Sequence, residues 1–248
     1  MSMTRLSMVI PVYNNWGQVE RQFALREALS EAATQATELI VVDDCSGSPL
    51  PFATVPRNTA VLRVLDDIPW NQGGARNLGV SVARGDWLIL TDVEHFFDAP
   101  SVEGALETLE TLDPAALYRT ARRVQEERDG RETEIGPPLN VFLASRQAYL
   151  NVGGVDEDFS GHYGYDDREF LDRWRRSGRG ELQHPAVICR VDNGGATRGL
   201  DRDVTRNRAL LETKLRDTGR PAPHPQLRFR WEWVVDTREG AADEAAAR

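Results

Sequence analysis

Lysine is nearly missing from this chain of 248 residues: Lys214 stands alone, and all other Lys/Arg positions are arginine. Cysteine is scarce as well. Cys45 and Cys189 are the only two, far apart in sequence, which excludes a disulfide framework and fits a reducing compartment. No apolar run approaches the ~18 residues of a membrane span. Met1 to Arg5 lacks the basic segment and apolar stretch of a secretory leader. Positive charge is in deficit, with 30 Lys+Arg against 39 Asp+Glu and a net charge of −9. Nucleic-acid binding depends on neutralising phosphates, so it is excluded as a general activity, whereas a local basic pocket for a small anion is not. The expectation is a cytoplasmic protein without a transmembrane segment.

What is present is an ordinary globular mix, 40% apolar with 20 glycines, long enough for one large α/β domain or two small ones. Short apolar runs alternate with helical spacing over the first 92 residues. Leu6 to Tyr13, Leu39 to Val42, Val61 to Leu65 and Trp87 to Leu90 read as strands buried on both faces. Val19, Leu25, Leu29, Ala32 and Ala33 recur at helical spacing. Ala75 to Arg84 reads as a helix with Gly85 as its C-cap. Strands alternating with helices predict a largely parallel sheet, in which ligands bind beyond the carboxyl ends of the strands. Three strands run into polar or acidic residues there: Tyr13-Asn14, Asp43-Asp44, and Asp92 with Glu94.

The second half is less regular. Ser101 to Leu112 reads as a helix capped by Ser101, Asp129-Gly130 as a hairpin-type turn, and Leu139 to Ala144 as a strand before a short helix ending at Gly153-Gly154. Helices are predicted over Asp167 to Ser177 and Asp201 to Thr218, and strands over Ala186 to Arg190 and Leu227 to Val235. Arg228, Phe229, Arg230, Trp231 and Trp233 suit a packed terminal strand better than a partner or membrane-surface contact.

Four groups of residues suggest chemistry. Asp92 and Glu94, two apart at a strand end, share a face in extended chain and can hold a hard cation through oxygen. Alone, Asp-x-Glu is also the composition of a solvated acidic turn, and His95 would face the other way. Asp43-Asp44 can accept a nucleobase N–H or ribose hydroxyls, or simply make a turn. Gln72 to Gly79 opens a helix with two glycines, and free N–H groups at a helix start attract anions. Arg76 in that first turn opposes the helix dipole and suggests an anionic partner. The stretch is neither G-x-G-x-x-G nor a P-loop. Asp166-Asp167 precede a helical run, as capping acids or as a general base at a pocket mouth. The nearby Gly161, Tyr163, Gly164 and Tyr165 suit a loop that stacks on a sugar.

Taken together and in this order, these stretches resemble the family 2 glycosyltransferases, which have the GT-A fold. The likeness runs through Val9 to Asn14, Ile40 to Ser46, Asn71 to Gly79, Asp92-Val93-Glu94, Gly153 to Glu157 and Gly164 to Phe170. It implies a GT-A-like α/β fold: a mostly parallel Rossmann-type sheet flanked by helices, with a smaller acceptor-side part. Residues 1–100 are then a nucleotide-sugar-binding half, 101–225 an acceptor-binding half of the same domain, and 226–248 a terminal strand and fraying tail. The resemblance implies that Pro11, Tyr13, Asp43 and Asp44 cradle the nucleoside and that Arg76 meets the nucleotide. It places Asp92 on the ribose, and Asp92 and Glu94 on a divalent cation, Mn²⁺ or Mg²⁺. Asp166 and Tyr165 would bind the acceptor, and Asp167 would act as base.

The implied activity is inverting transfer from a nucleotide-diphosphate sugar, with uridine the commonest base among relatives. The acceptor would be a hydroxyl of a glycan or of a lipid-linked molecule in polysaccharide biosynthesis, reached in the cytoplasm or peripherally at the inner face of the membrane. Three features depart from the family pattern. Glu94 replaces the second Asp of the metal motif, and Asp166-Asp167 replaces Glu-Asp. No His stands near Asp192-Asn193, where relatives carry a late metal ligand; Asp192 is the expected substitute, and His184 reads as structural. The alternative is a catalytically degenerate relative that binds a nucleotide or glycan without transfer. Nucleotidyl transfer would want a glycine-rich basic loop after the first strand, and Asn14-Asn15-Trp16-Gly17 is not one.

Overall fold

Runs of β-branched and aliphatic residues uninterrupted by charge can sit only where both faces of a strand are covered. The computed structural model describes residues 4–125, 131–191, 201–217 and 223–238. It puts those runs at the centre of the sheet. Strands β1 (Leu6–Val12), β2 (Thr37–Asp43), β3 (Thr59–Val64) and β4 (Trp87–Leu90) are parallel, in the order β3-β2-β1-β4. All seven residues of β1 are buried. Leu6, Met8, Ile10 and Val12 pack on one face with helices α1 (Trp16–Glu27), α2 (Glu31–Ala36) and α4 (Ala99–Thr108). Val9, with Ile40 and Val42, packs on the other against α3 (Gln72–Val82), α5 (Arg146–Val152) and α6 (Asp166–Arg176).

The remaining strands extend this sheet. They are β5 (His95–Phe96), β6 (Leu117–Gln125), β7 (Glu132–Ile135), β8 (Phe142–Ser145), β9 (Glu181–Val191) and β10 (Trp231–Asp236). The order is β10-β3-β2-β1-β4-β8-β6-β9-β5, with β7 on β6. Strands β10, β8, β7 and β5 pair antiparallel to their neighbours, while β6 and β9 are parallel. Among the described residues no helix is long and apolar enough to cross a membrane.

Several local expectations change. The apolar spacing over residues 19–33 belongs to two helices, because the Ser30 side chain accepts the Ala33 N–H and starts α2. Asp98, not Ser101, caps α4. Gly85 is no C-cap: a Cβ there would stand 2.8 Å from the Ser7 amide nitrogen, so glycine lets the chain pass against β1. Strand β6 is rich in polar residues; its buried Arg119 is satisfied by Glu181 and by the carbonyls of Pro138 and Leu139. Strand β9 starts earlier than its apolar core, and the last strand starts at Trp231, antiparallel to β3. His184 is buried in β9, with Nδ1 accepting the Ala186 and Val187 N–H groups. Burial pushes it down to about 4, and its place is structural, as expected. The last helix, α7, spans Thr205–Arg216. The Asp129-Gly130 turn and the tail 240–248 lie outside the described residues.

The lone lysine fastens α7 to the turn before α6. Lys214 is 5% exposed and pairs with Asp156 at 2.5 Å and Asp158 at 2.7 Å. Removing one member of a buried ion pair leaves the other uncompensated. Lys214→Ala is expected to cost about 3 kcal/mol in a denaturant titration, and a loss below about 1 kcal/mol, typical of a surface pair, would refute this anchoring.

Candidate active site

In β3-β2-β1-β4 the chain leaves β1 toward one edge of the sheet and returns through β4 on the other side. Loops leaving neighbouring strands in opposite directions open a crevice at their carboxyl ends. That crevice is a cleft of about 620 Å³, lined by Pro11, Tyr13, Asp44, Asp92, Glu94 and Asn140 among others. A second cavity of about 350 Å³ is lined by Tyr165, Asp166 and Asp167. Trp70, Gln72, Asn140 and Tyr163 line both, so the two are compartments of one groove.

Asp92 is the hub of the floor. Its Oδ1 accepts from Gln72 Nε2 at 2.5 Å and from Arg76 Nη2, and its Oδ2 accepts from Asn140 Nδ2. Arg76 is only 2% exposed and is not among the lining residues. Its anionic partner in the protein is Asp92, whose carboxylate it presents to the cleft. Asn140 belongs to no acidic or glycine motif and has no signal in the sequence; Gln72 heads the Gln72 to Gly79 stretch, but nothing in that stretch points to its bond with Asp92.

The segment after β4 corrects the placing of His95. The His95 N–H bonds the Asp92 carbonyl at 3.0 Å, closing a turn instead of continuing extended chain. Gln22 on α1 holds it by donating to the carbonyls of Val93 and His95. The turn brings ligand atoms of Asp92, Glu94 and His95 within 4.8 Å of one another. His95 is 4% exposed and neither ring nitrogen has a hydrogen-bond partner. Burial pushes it down to about 4, against the pull of Asp92. Two carboxylates and a neutral imidazole with no hydrogen-bond partner fit a divalent cation such as Mn²⁺ or Mg²⁺. Asp192 lies outside the described residues.

The acidic pair ending β2 divides its work, since successive side chains of a strand point to opposite faces. Asp43 faces away from the cleft, paired with Arg63 at 2.7 Å and accepting the Ser46 N–H at 2.8 Å. Ser46 Oγ in turn accepts the Asn14 N–H, and Asn14 Oδ1 accepts the Gly47 N–H, so the loops after β1 and β2 are tied together. Asp44 faces the cleft and accepts from Asn71 at 2.9 Å. Burial pushes its carboxyl up to about 7. Glu94 is likewise pushed up to about 7, first by burial and then by Asp92.

At the second compartment, Asp166 opens α6. The residue is half-buried, with its carboxyl Oδ2 3.6 Å from where a Cβ on Gly73 would lie. That Cβ would also stand 2.6 Å from Val155 Cγ1, so only glycine allows the helix start to approach so closely. Burial and the neighbouring Asp167 push Asp166 up to about 6. Asp167 accepts the Arg168 N–H at 2.6 Å. Tyr165 is in the left-handed region (φ 70°), with its hydroxyl accepting from Arg208 at 3.1 Å.

These acids make stability depend on pH. Asp44, Glu94 and Asp166 keep protons in the fold where the unfolded chain, at its ordinary 3.8 to 4.5, has lost them. The folded state then binds more protons, and stability falls as pH rises. His95 and His184, neutral in the fold below their ordinary 6.5, act with the opposite sign. The melting temperature is therefore expected to rise from about pH 8 to about pH 6 and to flatten below. A thermal melt that stabilises steadily toward pH 8 would contradict the placing of these carboxyls, and Asp44→Asn should flatten the slope.

The glycosyl transferase family 2 profile matches residues 7–172. An uncharacterized glycosyltransferase of Haemophilus influenzae is 32% identical over 114 residues, covering 42% of this chain and 34% of the relative. Succinoglycan biosynthesis protein ExoO of Rhizobium meliloti is 29% identical over 133 residues, 49% of this chain and 37% of that protein. The chain thus spans about a third of the length of these two curated relatives. S. aureus TarS 1-349 in complex with UDP-GlcNAc superposes with a TM-score of 0.61 at 13% identity, over 78% of this chain and 60% of that one. GalNAc-T7 with UDP, GalNAc and Mn²⁺ gives 0.56 at 15% identity, over 76% and 44%. At such identities the likeness is one of fold, the GT-A architecture.

Proposed function

The chain belongs to glycosyl transferase family 2, and we propose that it transfers a sugar from a nucleotide-diphosphate sugar, UDP-linked, to a hydroxyl of a glycan or lipid-linked acceptor with inversion at the anomeric carbon. The observation that carries this reading is the continuous groove: Pro11, Tyr13, Asp44, Asp92 and Glu94 at one end, Tyr165, Asp166 and Asp167 at the other. Two reactants can lie end to end in it, and holding them so lowers the entropic part of the barrier. The UDP in two fold neighbours and the polysaccharide relative support the donor and the pathway class.

Pro11 and Tyr13 wall the base, and Asp44 accepts from the nucleoside. Asp43, through Arg63 and Ser46, fixes the loop that carries Asp44. Arg76, Gln72 and Asn140 hold the Asp92 carboxylate in one orientation. Asp92, Glu94 and His95 would hold the divalent cation, which when bound neutralises charge on the diphosphate as a Lewis acid. Asp167 takes the proton of the attacking hydroxyl, and Asp166 and Tyr165 position the acceptor.

A thermal-shift series with UDP, GDP, CDP and dTDP, with and without Mn²⁺, tests the donor site. Stabilisation by one diphosphate at concentrations well above its Kd is expected, on the order of 2–4 kcal/mol; no response to any would sink the reading. Glu94 and Asp166, where the family pattern has Asp and Glu, favour one rival, a relative that binds without transfer. Slow release of free nucleoside diphosphate from a nucleotide sugar supports the enzyme; tight binding with no release supports the rival.

A further inference from the structure

A nucleotide-sugar diphosphate carries two negative charges, yet the cleft proposed to receive it is lined by four acids, Asp44, Asp67, Asp92 and Glu94. Among the described residues lining it, Arg202 is the one Lys or Arg. Arg76 is committed to Asp92 beneath the floor. We infer that Arg202 is the protein's own cation for the donor diphosphate, positioned by Trp70 and Tyr163. This rests on the reading of the cleft as a nucleotide-sugar site.

The positioning is visible in three contacts. The Arg202 guanidinium lies 5.9 Å from the Trp70 ring and 5.7 Å from the Tyr163 ring, and those rings are 4.5 Å apart. The Trp70 indole N–H donates to the Asp201 carbonyl at 2.5 Å, fastening the backbone beside Arg202. On the other side, Asn207 Nδ2 is within hydrogen-bond reach of the carbonyls of Phe159, His162 and Gly164. Trp70 itself is in the left-handed region at φ 53°, a conformation that is strained for a bulky residue and persists only where the surroundings enforce it. The Gly161 N–H bond to the Pro69 carbonyl at 2.8 Å is part of that enforcement.

The chemistry suits a diphosphate. Aromatic rings attract a guanidinium within about 6 Å without using up its N–H donors, which are matched in geometry to paired phosphate oxygens. An arginine held this way loses less entropy on binding than one that must be ordered by the ligand. It also gives a hold on the diphosphate that does not require the metal.

The test is calorimetric titration of the full chain with UDP and with uridine, in EDTA and in Mn²⁺. In EDTA, UDP is expected to bind about tenfold tighter than uridine, the worth of charged hydrogen bonds. Arg202→Gln should remove that difference and leave uridine unchanged, Arg202→Lys should restore part of it, and Trp70→Ala should weaken UDP more than uridine. UDP binding no tighter than uridine in EDTA, or an Arg202→Gln chain that keeps the parent's difference, overturns the inference while the nucleotide reading stands. Equal weakening of UDP and uridine overturns it too, as a general structural effect. If neither they nor GDP, CDP and dTDP bind in either medium, the donor reading falls and takes the inference with it.

Discussion

Asp167→Asn is expected to cut sugar transfer by about 10²–10⁴-fold, the range for a positioned general base, with UDP binding nearly unchanged. The amide keeps the size and hydrogen-bonding of the side chain but cannot take the proton from an attacking hydroxyl. Asp167 lines the second compartment and not the first, so the end proposed for the nucleotide should not feel the change. Asp166 provides the contrast. Its carboxyl is turned toward Gly73 and pushed up to about 6 by burial and by the neighbouring Asp167. Asp166→Asn should raise the acceptor's KM more than it lowers kcat if Asp166 positions and Asp167 abstracts. Parent-level transfer in Asp167→Asn, combined with the large kcat loss in Asp166→Asn, would exchange the two roles. Rates at saturating donor, with UDP affinity measured separately, distinguish the outcomes.

The parts of this arrangement that were legible in the sequence share a cause. Strands β1 to β4 are buried on both faces, so their apolar runs stand out, and each ends where polar residues must begin because the chain reaches the crevice. The strands added beyond β4 carry no such signal. Strand β6 holds Arg119, Arg122 and Arg123, and its burial rests on partners distant in sequence, such as Glu181. Strand periodicity misplaces His95 because β4 stops at Leu90 and the chain then turns, as the bond from the His95 N–H to the Asp92 carbonyl shows. The division of Asp43 from Asp44 was available from alternation alone. Trp70 and Asn140 were not: their significance lies in a wall shared by two compartments, which has no local pattern.

Asp92→Asn is expected to affect folding and binding at once. The substitution leaves Arg76, 2% exposed and lacking any other carboxylate ion pair among the described residues, as an uncompensated buried charge. Losing one partner of such a pair typically costs about 3–5 kcal/mol, and the asparagine amide would also face the amides of Gln72 and Asn140. Nucleotide binding should fail with it if Asp92 meets the donor, so the single variant cannot tell a collapsed floor from a missing ligand. The double variant Arg76→Met, Asp92→Asn separates them. With the buried guanidinium replaced by an apolar chain of similar length, most of the lost stability should return, since an apolar replacement of a buried pair is often neutral. Transfer should not return, because the carboxylate proposed to meet the metal and the ribose is still gone. If the double variant recovers activity along with stability, Asp92 serves only to neutralise Arg76. A double variant as unstable as Asp92→Asn would instead show that the Gln72 and Asn140 bonds, and not the ion pair, hold the floor together.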